Sequence, residues 1–165
     1  MRRYLFAAIL TLFPAVVQSG ERMAEFGNFE VERTRVSCIA QTRNEAGDTL
    51  KIVFGEGRFN LIVLSTELEA NHTSEGDFLV PIFVNNKTWR LLGEIDGFRG
   101  SVWIGTHKSL SMQDRLVLMS DLIDGDAVGL LTDENGDHLH VFSLNGSEAA
   151  IKYALNVCLQ IVLDN

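Results

Sequence analysis

Cysteine, proline and clustered positive charge are all scarce in this chain of 165 residues. The two cysteines, Cys38 and Cys158, stand neither beside a histidine nor in a Cys-x-x-Cys, which excludes a thiolate-rich metal cluster and gives no sign of a nucleophilic thiol. With only Pro14 and Pro81, there is no Pro-rich linker, and no repeat or low-complexity stretch divides the sequence. Lys and Arg number 14 against 22 Asp and Glu, and they are scattered. A chain without a basic stripe repels nucleic acid and anionic membrane surfaces. Long apolar runs are missing too: the charge-free segment Leu5 to Val17 spans 13 residues and is broken by Pro14, whereas crossing hydrocarbon takes about 20. No Gly-x-Ser-x-Gly and no glycine loop between a strand and a helix is present, so the usual nucleophile and phosphate-loop signatures are absent.

What is present begins at the N-terminus. A basic head, Met1-Arg2-Arg3-Tyr4, precedes that apolar segment, and Val17-Gln18-Ser19 puts small or short side chains before a cut after Ser19. This three-part order predicts a secretory signal peptide over residues 1–19 and a periplasmic or secreted product. No cysteine follows the cut to take a lipid anchor, and Arg2-Arg3 is a plain basic head rather than a twin-arginine signal. Residues 20–165 are then one domain of ordinary size. Two basic and no acidic residues leave with the signal, so the remainder carries 12 basic against 22 acidic groups, a net −10. In an oxidising compartment two cysteines are expected to form one disulfide, Cys38 to Cys158, tying the start of the fold to its last element.

Most of the domain alternates apolar and polar residues, which reads as strands. Phe29, Val31 and Arg33 share one face, then Val36, Cys38 and Ala40 share another. Leu50 to Phe54 and Phe59 to Val63 flank Gly55-Glu56-Gly57 as a hairpin, and Asn85-Asn86 turns Phe78–Val84 into Trp89–Leu92. Pro81 cannot donate to a ladder, so its strand is expected at an edge or a bulge. Ser101 to Gly105 is another short strand, and Asn135-Gly136 joins a last hairpin, 127–132 and 139–144. Two segments change to helical spacing. Ser111 caps a helix from Met112 to Asp124 ended by Gly125, with Leu116, Met119 and Ile123 on one face and Leu122 beside them. Ser147 caps a final helix, Glu148 to Val162, whose Ile151, Leu155, Cys158 and Val162 share a stripe. The expected class is α+β: a mostly antiparallel β-sandwich or open barrel with one internal helix and a C-terminal helix packed on the sheet.

Candidate chemistry is thin. His138 and His140 lie two apart on a strand and with Asp137 would start a metal site, but the remaining histidines, His72 and His107, sit in unrelated segments, and a solvent-facing pair is the simpler reading. Asp121, Asp124, Asp126, Asp133, Glu134 and Asp137 lack the spacing of a calcium loop. Among 22 acidic residues, pairs at glycosidase separation arise by chance. Three Asn-x-Ser/Thr sequons, at Asn71, Asn86 and Asn145, read as turn chemistry. Trp89 and Trp103 lie within strands and read as core. No cofactor is indicated. The polar loops at 66–77 and 94–100 are the contact candidates.

Phe26-Gly27-Asn28-Phe29-Glu30-Val31 before Cys38, and Val141-Phe142-Ser143-Leu144-Asn145-Gly146-Ser147-Glu148-Ala149-Ala150-Ile151 before Cys158, resemble the termini of small exported alphaproteobacterial proteins of the invasion-associated locus B family. There, a strand ending in Phe-x-Leu-x-Gly enters a closing helix with Ala-Ala. The resemblance covers about the first and last 20 residues of the exported domain and implies an envelope address and a β-rich fold. A second cysteine pair and a Pro-rich segment, features of that family, are absent. The functional expectation is a non-catalytic exported binding module acting on a protein partner or envelope component, such as an inhibitor or immunity protein. The alternatives are an invasion-associated or envelope-maintenance factor, and a small hydrolase or metal-binding protein using His138 and His140.

Overall fold

The alternating segments pair with their sequence neighbours almost throughout, because short turns between strands make the antiparallel partner the nearest one. A computed structural model describes residues 20–55, 58–65, 77–96, 101–131 and 139–163. The strands are β1 (Glu21–Phe26), β2 (Phe29–Arg33), β3 (Cys38–Arg43), β4 (Thr49–Gly55), β5 (Arg58–Leu64), β6 (Asp77–Val84), β7 (Lys87–Asp96), β8 (Ser101–Gly105), β9 (Ala127–Leu131) and β10 (Leu139–Ser143). Among the described residues they form one ten-stranded sheet, ordered β1-β2-β3-β4-β5-β8-β7-β6-β9-β10, and every pairing is antiparallel. Three helices occur among the described residues, α1 (Thr106–Ser109) and α2 (Met112–Asp124) between β8 and β9 and α3 (Ser147–Leu163) after β10. The protein is a β-rich α+β fold with an internal and a C-terminal helix, as the period-two and helical spacings foretold.

The sheet curls. β10, last in the order, comes back against β3, and α3 packs across β1 to β4. One face of every strand from β2 to β10 therefore turns inward, burying Val31, Ala40, Ile52, Leu61, Val80, Leu91, Ile104, Leu130 and Phe142 with Ile151 and Ala154 of α3. Removing that much apolar surface from water is the main driving force of the fold. Two turns lock the curl. The β1–β2 turn meets the β10–α3 turn, where the Asn28 N–H donates to the Asn145 carbonyl at 3.0 Å. Gly27 (φ 57°) and Gly146 (φ 92°) occupy the left-handed region there, and a Cβ on Gly146 would strike the Phe26 carbonyl.

Several sequence expectations are corrected by this arrangement. β1 has no alternating apolar signal and was not anticipated; neither was the single turn of α1. β3 starts at Cys38, leaving Val36 exposed in the preceding turn. β6 is not an edge strand, since β7 and β9 flank it; Pro81 is tolerated because β9 pairs only with Ile82 to Val84. α2 begins and ends where expected, with Ser111 accepting the Asp114 N–H at 3.1 Å. Its buried face is rotated, however: Leu118 and Leu122 are buried, Met119 and Ile123 only partly, and Leu116 is 64% exposed. Ser147 is buried at the start of α3, and its hydroxyl donates to the Ile123 carbonyl of α2 rather than capping its own helix. Of the 94–100 loop, Glu94 to Asp96 belong to β7; residues 97–100 lie outside the described ones.

Candidate functional site

Inward-facing positions on a curled sheet are apolar almost everywhere, so a polar group there needs partners. His140 is the exception on β10. It is 4% exposed, and its Nδ1 donates to Oδ2 of Asp48 at 2.8 Å. Asp48, also buried, stands at the end of the 44–48 turn just before β4. It accepts further hydrogen bonds from the Asn44 amide, 3.0 Å away, and from the Ser65 hydroxyl. Burial pushes the Asp48 carboxyl up, but the Ser65, Asn44 and His140 donors together outweigh it and hold the group below its ordinary range.

This cluster superficially offers serine, histidine and acid. Its order is wrong for nucleophilic catalysis. In a working relay the imidazole stands between the hydroxyl and the carboxylate and takes the hydroxyl proton. Here the carboxylate stands between, accepting hydrogen bonds from both Ser65 and His140. The arrangement fastens β10 to the β4 and β5 ends, and it corrects the reading of His138 and His140 as a solvent-facing pair. His140 faces inward, while Leu139 and Val141 face out; His138 lies outside the described residues. No group of three or more His, Cys, Asp and Glu that could hold a metal ion occurs among the described residues.

A second polar post lies under α2. Asp121 accepts from Lys87 Nζ at 2.6 Å and from Trp89 Nε1 at 3.2 Å. Trp89 is partly buried against the core, so this tryptophan is structural, as expected. Trp103 is not. Its neighbours Val102 and Ile104 are buried, and at 42% exposure it stands on the outer face of β8.

That outer face carries two features. Across β6, β9 and β10 it is apolar: Leu79 and Phe83 on β6, then Leu139 and Val141 on β10, are exposed. Register sets them side by side, with Phe83 opposite Gly129, Gly129 opposite Val141, and Leu131 opposite Leu139. With Pro81 and Leu131 included, no charged side chain stands at these outer positions among the described side chains, and Arg90 of β7, opposite Pro81, borders them. Across β5, β8 and β7 lies a shallow pocket of about 130 Å³, lined by Asn60, Leu92, Glu94, Trp103, Ile104, Gly105 and Lys108.

The expected cysteine link is reached only in part. Cys38 is fully buried on β3 and is not a free thiol; the Cys158 side chain lies outside the described residues, as do residues 1–19 with the expected signal, His72, the 66–76 loop and the acidic turn 133–137. The His107 side chain is likewise outside them. No described helix is long and apolar enough to cross a membrane. No family model, curated protein or solved structure matches this chain.

Proposed function

We propose that this is an exported, non-catalytic binding module that engages a protein partner through the outer face of β6, β9 and β10. The observation that carries the reading is the set of Leu79 and Phe83 on β6 and Leu139 and Val141 on β10, all solvent-exposed, with β9 between the two strands and only Gly129 separating Phe83 from Val141. Apolar residues scattered singly on a surface need no explanation, but a contiguous patch marks an interaction site. The occupant follows from charge. The whole chain carries −8, and the domain beyond the expected signal −10, so two copies repel each other, whereas a protein with an apolar patch in a basic surround is attracted. A cationic, wall-directed hydrolase, inhibited or neutralised by this module, has that chemistry.

Three further features support the reading. The His140–Asp48 pair is buried and joins β10 to the start of β4, which supports a structural role for that histidine. The N-terminal grammar supports export. Cys38 is not free, the chain has one other cysteine, and α3, which contains Cys158, packs against β3; these observations support the Cys38–Cys158 disulfide expected from the sequence, which suits an oxidising compartment.

The test is capture from envelope extract with wild type and with the double variant Phe83→Asp/Val141→Asp, with fold monitored by thermal unfolding. A stoichiometric basic partner retained by wild type and weakened at least tenfold by the folded variant supports the reading. Equal retention by both, or dimerisation of the chain through this face in place of a partner, overturns it.

A further inference from the structure

The pocket on β5, β8 and β7 borders the partner face, with Leu92 at its edge standing opposite Leu79, and has a different chemistry. Its aromatic lining residue is Trp103, which stands on β8 opposite Glu94 of β7 on one side and Ile62 of β5 on the other. An exposed indole beside polar groups is an unusual use of the largest apolar side chain, which ordinarily goes where most surface can be buried. Asn60, opposite Gly105 in the register, supplies the second anomaly. Its Oδ1 is buried and has no hydrogen-bond partner. A buried acceptor left unpaired carries a desolvation penalty that native structures seldom tolerate without reason. Glu94 and Lys108 add an acceptor and a donor at the rim, and Leu92 an apolar edge.

The walls are held before any ligand arrives. The Thr106 hydroxyl donates to the Phe59 carbonyl, and the Ser109 hydroxyl accepts the Leu92 N–H at 2.7 Å. These two bonds pin α1, which bears Lys108, to β5 and β7. Such pre-organisation lowers the entropic cost of binding.

We propose that this pocket binds one pyranose ring of an uncharged glycan. A pyranose has an apolar C–H face that lies on an indole and a rim of hydroxyls that both donate and accept. The rim matches Asn60 Oδ1, which needs a donor, and Glu94 and Lys108, which accept and donate. Competing flat ligands fit less well. Nucleotides bring phosphate to an acidic chain, and a cation seated over the indole meets the Lys108 ammonium at the pocket wall. The cavity volume of about 130 Å³ suits one ring, with further sugar units lying across the open sheet face. The inference stands independently of the partner face, since neither Phe83 nor Val141 lines the pocket.

The experiment is a two-dimensional amide NMR titration of the full exported domain with the β-1,4-linked trisaccharide of N-acetylglucosamine and with maltotriose. Two tryptophans give two indole N–H signals, assigned by Trp103→Phe. The expected result is a saturable shift of the Trp103 indole and the Asn60 side-chain amide with at least one sugar, while the Trp89 indole stays still. Trp103→Ala abolishes the response, and Asn60→Ala weakens it about tenfold, as for loss of one hydrogen bond to a ligand. Should Trp103→Ala fail to fold, the wild-type shifts and Asn60→Ala still decide. Three results overturn the proposal: a motionless Trp103 indole at tens of millimolar of both sugars, an unweakened response in Asn60→Ala, or a saturable shift with tetramethylammonium that equals the sugar's. The Phe83→Asp/Val141→Asp variant keeps full sugar binding, so failure here and failure of the partner face are read separately.

Discussion

Replacing Asp48 probes how the curled sheet is closed. Its carboxylate takes donors from three separate segments: the 44–48 turn through Asn44, the end of β5 through Ser65, and β10 through His140. Asp48→Ala leaves the buried His140 Nδ1–H and the Ser65 hydroxyl without this acceptor. Breaking a buried, hydrogen-bonded pair by removing one partner costs about 3 to 5 kcal/mol. Asp48→Asn keeps the shape and removes only the charge, so its cost falls to about 1.5 to 3 kcal/mol, the range for hydrogen bonds to charged groups. The pH dependence has a definite sign. The native carboxyl is held below its ordinary value, so the unfolded state binds the proton more readily. Its contribution is complete above the ordinary aspartate pKa of about 3.9 and is lost as pH falls through the lower native value. Denaturant unfolding at pH 7 and again near pH 3 measures both effects. The gap between wild type and Asp48→Asn should be full at pH 7 and narrow in acid. An Asp48→Ala protein within about 1 kcal/mol of wild type, or a gap that does not change with pH, would refute the closure role.

Other perturbations address separate parts of the fold. Gly146→Ala combines left-handed backbone strain with a clash against the Phe26 carbonyl; a loss of about 2 to 6 kcal/mol by thermal or chemical unfolding is expected. Leu118→Ala on the buried face of α2 should cost about 2 to 5 kcal/mol. Leu116→Ala, exposed on the side of α2 away from Leu118, should change stability by no more than about 0.5 kcal/mol, and equal costs would mean the helix is rotated from the observed face. Native protein should show no titratable thiol, and Cys158→Ser should lose about 4 to 5 kcal/mol on the chain-entropy estimate for so long a loop.

Local signals were legible wherever the chemistry is local. Ser111 and Gly125 delimited α2, because a cap and a stop are read within one turn. The β4–β5 hairpin showed in its alternation, and Asn85, at φ 54°, showed as a turn because asparagine tolerates the left-handed region. Position relative to the core was less legible. Trp103 was read as core from residue type, yet it is out of phase with Val102 and Ile104. Phase was the available signal for His140 as well, since Phe142 two residues on is an obvious core residue. Its partner was not visible, because Asp48 lies 92 positions away and only the curl of the sheet joins them. β1 escaped notice because three of its six residues are charged and exposed and none is fully buried, so that pairing with β2 rather than burial defines it. The outer apolar face needed the strand order β6-β9-β10, which places residues near 80, 130 and 140 together and which no alternation pattern encodes.

The most direct test of the partner face is site-specific photocrosslinking in the native envelope. A photoreactive phenylalanine analogue is placed at Val141 or Phe83, and at the exposed turn residue Glu45 as a control. The account predicts one discrete adduct with a basic protein from positions 141 and 83 and none from 45. Adducts of equal yield from all three positions, or none from 141 and 83, would contradict it.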